Sequence, residues 1–160
     1  MSDRFHQVVF DCVVYGQALI NARGPAAECI EQARQGRVRL YISDFILTEI
    51  RELPAKIRSK HVSFAQAERL ITALMEFAVL VKDVPVVYTH PVDPEDSAYI
   101  NLALVTESKL IISRDHHLLG MMDSDAPWAV EFRQRFPQLM ILPPHTFIQL
   151  LRLEEQDQTL

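Results

Sequence analysis

Short apolar segments that alternate with amphipathic helical segments constrain this chain more than any other feature of its sequence. Val38–Ile42, Val79–Val81 and Leu110–Ile112 are strand-like, and the last has no polar residue. A strand that is apolar at every position is typical of a parallel sheet covered on both faces. Helices between strands provide the crossovers that parallel strands need. We therefore predict an α/β fold, a three-layer α/β/α sandwich around a mostly parallel central sheet.

Helical periodicity and capping residues place the other segments. The apolar run Gln7–Phe10 is interrupted by Asp11 and resumes at Cys12–Val14, and further strands are predicted at Val84–Tyr88 and Leu139–Leu142. Helices are predicted at Ala26–Gln35 (closed by Gly36), from Ser43 or Asp44 to about Leu53 (ended by Pro54), at Phe64–Phe77, from Asp93 to about Glu107, around Trp128–Phe136 and at Thr146–Leu153. We expect one domain over residues 1–153 and a polar C-terminal tail over residues 154–160.

Length, hydropathy and cysteine content narrow the class of protein. The 160 residues fit one domain, and 49% of them are apolar, as in a globular chain. No apolar run approaches the ~18 residues of a membrane span, and the N-terminus lacks the pattern of a signal peptide. Cys12 and Cys29 are too few for a disulfide framework. We expect a cytoplasmic protein without a membrane partner.

Four acids stand where the pattern favours the interior. Asp11 interrupts the first apolar run, Glu49 lies within the apolar stripe of its helix, and Asp96 begins the apolar face of another. Asp115 follows the strand Leu110–Ile112 by three residues. All four can therefore lie at the carboxyl edge of the sheet, where open parallel sheets form their sites.

Buried carboxylates that lie together repel one another unless a cation compensates them. Oxygen-only ligand sets suit Mg²⁺ or Mn²⁺, whereas zinc prefers histidine or cysteine. We therefore expect one or two Mg²⁺ or Mn²⁺ ions among these acids. His116 and His117 are adjacent and cannot point in one direction, so we expect neither to be a ligand. Cys12 is expected to be a small packed residue rather than a nucleophile.

Three of the acids also have ordinary structural interpretations. Asp96 alone could be a helix N-cap, and Asp115 could be an acid of a loop. Glu49 could pair with a lysine or arginine from another element. Asp11 is the hardest to explain in this way, because burying an unpaired carboxylate costs several kcal/mol.

Basic residues are the candidates for substrate contact. The net charge of −5 disfavours extended binding to nucleic acid, although bound cations would offset it locally. The one dense basic stretch follows the Glu49 helix and consists of Arg51, Lys56, Arg58, Lys60 and His61. We predict phosphate contacts for Arg51, Lys56 and Arg58, and for Arg114 beside Asp115. The alternatives are a solvated charged face and, for Arg114, an ion pair with Glu49 or Asp93.

These motifs, in this order, resemble the PIN-domain family, particularly the toxin nucleases of bacterial and archaeal toxin–antitoxin pairs. The resemblance covers nearly the whole chain and rests on Val8–Asp11, Tyr41–Ile50, Asp93–Ala103 and Leu110–Leu119. The last segment is the most specific, because a strand, Ser113-Arg114-Asp115 and paired leucines follow one another there.

The resemblance implies a PIN-like fold, dependence on Mg²⁺ or Mn²⁺, and endonucleolytic cleavage of RNA. It also implies a homodimer and a small antitoxin protein as partner. By position, the resemblance implies metal-site roles for Asp11, Glu49, Asp96 and Asp115, with Ser113 as a supporting hydroxyl and Asp93 as a second-tier ligand.

The two positions after the first acid depart from the family pattern, which has Thr and Asn there. Cys12 and Val13 occupy those places, and valine has no polar atom to replace the amide. One alternative is therefore a catalytically weak PIN-like protein that binds an antitoxin or RNA without cleavage. Another is a phosphoryl-transfer enzyme with Asp11 as nucleophile. Cys12 and Val13 disfavour it, because neither supplies the acid or hydroxyl that such enzymes generally place close after the nucleophile.

Overall fold

The computed structural model describes residues 5–57 and 62–158. The strands in this part of the chain are β1 (His6–Phe10), β2 (Val38–Ser43), β3 (Val79–Val81), β4 (Leu110–Ile112) and β5 (Met140–Leu142). The helices are α1 (Cys12–Ile20), α2 (Pro25–Arg34), α3 (Asp44–Lys56), α4 (Phe64–Phe77), α5 (Ser97–Val105), α6 (His116–Asp123), α7 (Pro127–Arg135) and α8 (Pro144–Gln158). A short 3₁₀ turn, Pro94–Asp96, leads directly into α5.

The strands form one parallel sheet in the order β3-β2-β1-β4-β5. In this register Val9 of β1 is paired with Tyr41 of β2 on one side and with Ile111 of β4 on the other. The chain builds the sheet outward in both directions from β1, so the carboxyl ends of β1 and β4 flank the point where ligands bind in such sheets.

The central strand β1 is covered on both faces. Val8, Val9 and Phe10 are all completely buried, although successive side chains of a strand point to opposite faces. Helix α5 packs across β1, β2 and β4, and α2 contacts β2 together with α1 and α8. The predicted α/β fold, a parallel sheet flanked by helices, is confirmed.

Residues 12–20 form α1 rather than a continuation of the first apolar run. The Asp11 side chain caps this helix by accepting a hydrogen bond from the Val14 N–H at 3.0 Å. Composition alone favours a strand here, because Cys12, Val13 and Val14 are apolar and the two valines are β-branched. The cap turns the chain out of the sheet directly after Asp11.

The predicted strand at residues 84–88 is wrong. The buried Asn101 accepts hydrogen bonds from the N–H groups of Val87 and Tyr88, each at 2.9 Å, and donates one to the Tyr88 carbonyl at 2.9 Å. The segment is therefore satisfied by a side chain of α5 rather than by a neighbouring strand, although its apolar composition suits a strand.

Helix ends follow the predicted caps with two exceptions. Gly36, at φ 77°, closes α2 as expected, with Gly36 N–H bonded to Ala33 and Arg37 N–H to Gln32. Pro54 does not end α3, which continues to Lys56 and closes with a bond from Ile57 N–H to the Leu53 carbonyl at 2.8 Å. Helix α8 runs through Gln158, into the segment predicted as a tail.

No helix of residues 5–57 and 62–158 is both long enough and apolar enough to cross a bilayer.

Candidate metal centre

Asp11 lies at the carboxyl end of the central strand and is only 1% exposed. Its Oδ1 accepts the capping bond from Val14, and its Oδ2 accepts a hydrogen bond from the Ser113 hydroxyl. Burial raises the pKa of Asp11 to about 6; the bonds from Ser113 and Val14 offset part of this rise, and Asp115 adds to it. With both oxygens accepting hydrogen bonds in the interior, Asp11 is poorly placed to act as a nucleophile.

Asp115 follows β4 and lies near Asp11 at the carboxyl edge of the sheet. It is the N-cap of α6, and its Oδ2 accepts hydrogen bonds from the N–H groups of His117 at 3.0 Å and Leu118 at 3.1 Å. Its own backbone N–H donates to the Ser113 hydroxyl at 2.9 Å. The buried Ser113 therefore connects Asp11 and Asp115 through one oxygen atom.

Asp96 enters this group from the start of α5 and is 8% exposed. It occupies the N-cap position but makes no side-chain capping bond, so capping does not explain its burial. Burial raises the pKa of Asp96 to about 8, with further upward contributions from Asp115, Asp93 and Asp11. Its Oδ2 is buried and has no hydrogen-bond partner among the described residues. Asp115, Asp93 and Asp11 therefore lie close enough to Asp96 for their charges to favour its neutral form in the metal-free protein.

No lysine or arginine neutralises the three aspartates of the predicted set of four acids within residues 5–57 and 62–158. Glu49 differs, because its Oε2 lies 3.3 Å from Lys56 Nζ, two turns further along α3. Lys56 is 53% exposed and also contacts Glu52 at 3.2 Å, so solvent weakens the pair. Glu49 therefore has an ion-pair partner, but that partner lies on its own helix and not on another element as the alternative interpretation expected.

Cys12 and Tyr99 connect Glu49 with the other acids. Burial raises the pKa of the Cys12 thiol to about 12, with Glu49 and then Asp11 as further causes. The Tyr99 hydroxyl accepts a hydrogen bond from the Cys12 N–H at 3.2 Å; burial raises its pKa, and Cys12, Asp11 and Glu49 add to the rise. The charges of Glu49 and Asp11 both disfavour the Cys12 thiolate, and a thiol held protonated in this way is not a nucleophile.

Of the four predicted substrate-binding residues, Arg51 and Lys56 form ion pairs, Arg114 is exposed, and Arg58 lies outside the described residues. Arg51 pairs with Glu68 of α4 at 3.1 Å, and Lys56 is paired as described above. Arg114 is exposed and forms no ion pair with any residue that the structure describes. Arg58 lies outside the described residues, as do Lys60 and His61.

The tightest group of metal-binding side chains within residues 5–57 and 62–158 is Asp93, Asp96 and His117, whose ligand atoms lie within 4.8 Å of one another. Asp96 is its one member from the predicted set of four acids, and Asp93 was a second-tier candidate. His117 was expected not to be a ligand. His117 lies in the first turn of α6, which Asp115 caps, and its Nδ1 is 3.6 Å from Asp93 Oδ2. Sequence spacing offers no signal of that contact.

His90 is a second residue that no sequence pattern selects, and it is completely buried. Its Nδ1 accepts hydrogen bonds from the N–H groups of Val92 and Asp93, both at 3.1 Å, and its Nε2 lies 3.2 Å from the His117 carbonyl oxygen. A ring nitrogen that accepts two N–H bonds has no proton, so Nε2 is the donor to His117. His90 therefore holds the Asp93 loop against the start of α6.

The donor set fits a divalent cation. Carboxylate oxygens dominate it, no lysine or arginine compensates Asp11, Asp96 or Asp115 in the described residues, and the Asp96 Oδ2 is buried without a hydrogen-bond donor. A hard divalent ion supplies the positive charge and the coordination that such oxygens lack.

The chain was compared with models of known protein families. A family model described as PIN domain matches residues 7–117, more than half of the 160-residue chain. The matched segment runs from β1 into the first turn of α6 and so includes Asp11, Glu49, Asp96 and Asp115. No curated protein matches the chain.

Proposed function

The chain belongs to the PIN-domain family, whose members are generally metal-dependent nucleases, and we propose that it is an endoribonuclease dependent on Mg²⁺ or Mn²⁺. The substrate bond is an RNA phosphodiester, and Asp11, Glu49, Asp96 and Asp115 form the metal site for one or two ions. The observation that carries the proposal is the buried Asp96 carboxylate, which faces Asp11 and Asp115 without a compensating base.

The chain's own residues have distinct roles in this proposal. A divalent ion, when bound, lowers the pKa of a water molecule and stabilises charge on the leaving oxygen. Asp96 supplies an oxygen free of other bonds, and Asp115 and Asp11 supply negative charge from the ends of β4 and β1. Ser113 fixes the orientation of Asp11 relative to Asp115. Glu49 contributes from α3 once substrate or metal competes with Lys56 for its carboxylate.

Cleavage of a fluorescently labelled RNA of mixed sequence tests the proposal. The wild type is compared with Asp11→Asn and Asp115→Asn in Mn²⁺ and in EDTA, and Asp125→Asn, an exposed acid before α7, is the matched control. We expect Mn²⁺-dependent cleavage by wild type and Asp125→Asn. The two site variants should lose more than the ~10–100-fold that removal of an outer-shell partner typically costs. Equal cleavage by wild type and Asp115→Asn defeats the proposal.

A second candidate function is a catalytically weak PIN-like protein that binds an antitoxin or RNA without cleaving it. Val13 favours it, because this side chain is 41% exposed at the start of α1 and offers no polar atom beside Asp11. The Glu49–Lys56 ion pair also favours this candidate, because it occupies a carboxylate that the nuclease would use for metal. RNA binding measured by fluorescence anisotropy, with no cleavage in Mn²⁺, would support this candidate over the first.

We also propose that the protein is the toxin of a toxin–antitoxin pair, with a homodimer as its assembly and a small antitoxin protein as its partner. The resemblance of the four acidic motifs to toxin nucleases supports this proposal. The free thiols of Cys12 and Cys29 agree with a cytoplasmic location. Light scattering on the purified protein tests the dimer, and a molar mass of one chain at micromolar concentration contradicts it.

A further inference from the structure

We propose that Asp93, Asp96 and His117 bind a divalent transition-metal ion in preference to Mg²⁺, through two carboxylates and one imidazole nitrogen. This binding is a property separate from RNA cleavage, although it shares Asp96 with the proposed catalytic acids. The three side chains come from different places: Asp93 precedes the 3₁₀ turn, Asp96 ends it, and His117 lies in the first turn of α6.

Buried atoms without partners point to a ligand at this group. Three buried side-chain polar atoms in the described residues have no hydrogen-bond partner: Tyr15 Oη, Asp96 Oδ2 and His117 Nδ1. Two of the three therefore belong to one group whose ligand atoms lie within 4.8 Å of one another. A buried polar atom without a partner is unfavourable in a folded protein, and coordination to a cation would satisfy both atoms at once.

The separation between Asp93 and His117 suits a shared ion. His117 Nδ1 lies 3.6 Å from Asp93 Oδ2, which is too long for an N–H···O hydrogen bond. Two ligands at bond lengths of about 2.0–2.2 Å from one metal ion lie roughly 3–3.5 Å apart. The pair is therefore spaced as two ligands of one ion are, with little adjustment needed.

His90 organises the backbone on both sides of the group. Its ring connects the N–H of Asp93 to the carbonyl of His117, at 3.1 and 3.2 Å, and it packs against Trp128 with the ring centroids 5.2 Å apart. Because both its nitrogens are used, His90 is a positioning residue and not a ligand. Rings of this kind, bonded behind the ligands, fix ligand orientation in metal sites.

The donor set determines which ion is preferred. Two carboxylates and a neutral imidazole match the charge of one divalent cation. An imidazole nitrogen favours borderline ions such as Zn²⁺. Mn²⁺ is harder but lies within the same transition series and accepts an imidazole ligand more readily than Mg²⁺, which prefers oxygen ligands and retains its water. The His117 nitrogen would therefore distinguish this site from a site made of acids alone.

Pulsed electron paramagnetic resonance of bound Mn²⁺ tests the assignment, because a coordinated imidazole nitrogen gives a characteristic modulation. The full-length wild type, His117→Ala, His117→Gln and Asp11→Asn are compared, with His145→Ala as the control for loss of an exposed histidine. We expect the nitrogen signal in the wild type, Asp11→Asn and His145→Ala, and its loss in both His117 variants. Calorimetric titration should show Zn²⁺ affinity at least about 10-fold weaker in the His117 variants, with Mg²⁺ affinity unchanged.

Specific outcomes would overturn the assignment. If His117 is only an imidazolium partner of Asp93, the wild type gives no nitrogen signal, or the signal persists in a folded His117→Gln. Thermal melting identifies which of the two His117 variants is folded and therefore informative. A nitrogen signal without any RNA cleavage supports this site and contradicts the proposed nuclease. RNA cleavage without the nitrogen signal supports the nuclease and contradicts this site.

Discussion

The hydroxyl of Ser113 donates a hydrogen bond to the carboxylate of Asp11 across the junction between the central strands β4 and β1. The same oxygen accepts the backbone N–H of Asp115 at 2.9 Å. An uncharged side chain thus connects two acids that come from different parts of the chain. Since Asp115 raises the pKa of Asp11 while the Ser113 bond lowers it, Ser113 favours the charged form of Asp11.

Ser113→Ala should weaken metal-dependent activity without unfolding the protein. Loss of the hydroxyl leaves Asp11 freer to turn and less readily ionised, so we expect Mn²⁺ affinity and cleavage to fall by about 10–100-fold. Ser63→Ala is the matched control, because it removes a serine capping bond to Gln66 at the start of α4, away from the site. That control should cost about 1 kcal/mol of stability and leave cleavage unchanged. Equal cleavage by both variants would count against a role for Ser113.

Val13→Asn should raise the cleavage rate in Mn²⁺. Position 13 is exposed on the first turn of α1, so an amide fits there without a loss of buried packing. An amide beside Asp11 restores the polar group that the PIN-domain pattern has at this place. Val13→Ala controls for loss of the valine alone and should behave as the wild type does. If asparagine and alanine give the same rate, the departure at Val13 has no bearing on activity.

Arg114→Ala should raise KM for RNA by several-fold and leave kcat and Tm unchanged. The side chain is exposed next to Asp115 and has no ionic partner among the described residues. We therefore expect its loss to remove the proposed phosphate contact without breaking an ion pair. The slope of log affinity against log salt should decrease by about 1. Arg23→Ala, an exposed arginine beyond the other end of α1, should change neither quantity. A similar rise in KM for both variants would indicate general charge rather than a contact.

The metal-free protein should become less stable as pH rises from about 4 to about 8. The pKa values of Asp11 and Asp96 are raised from 3.8 to about 6 and about 8, mainly by burial. Each acid therefore binds more protons in the folded than in the unfolded chain across this range, and the free energy of unfolding falls with pH. Tm measured in EDTA should be higher near pH 5 than near pH 8, and Asp96→Asn should reduce that difference.

Asp125→Asn is the control for this measurement because its side chain is exposed. Added Mn²⁺ should recover stability near pH 8, each kcal/mol corresponding to roughly 2–4 °C in Tm for a chain of this size. A wild-type Tm that is independent of pH in EDTA would contradict the prediction.

Local pattern was enough to predict the sheet and most helices. Leu110–Ile112 is apolar throughout because both faces of β4 are covered, and Phe64–Phe77 forms α4 with the predicted ends. Residues 12–14 could not be assigned from composition, since the Asp11 cap rather than the valines decides their conformation. Residues 84–88 depend on Asn101, a partner distant in sequence that no periodicity reveals.

Sequence pattern selects some residues of the candidate site and not others. Asp11, Asp96 and Asp115 could be selected because each acid stands in an apolar pattern or at the end of a strand. The Lys56 contact of Glu49 follows from a spacing of seven residues, which places both on one side of α3. His90 and His117 could not be selected, because their roles depend on tertiary contacts between the Asp93 loop and α6.

Two of the acids also begin helices: Asp11 caps α1 and Asp115 caps α6, whereas Asp96 makes no capping bond. Architecture alone would therefore retain aspartate, asparagine or serine at positions 11 and 115 in a descendant that had abandoned catalysis. An acid at position 96 makes no capping bond that would favour its retention, and its burial disfavours folding in the absence of metal. Among diverging copies of this chain, replacement of Asp96 would be the earliest sign of lost chemistry, and its persistence the better sign of continued selection for it.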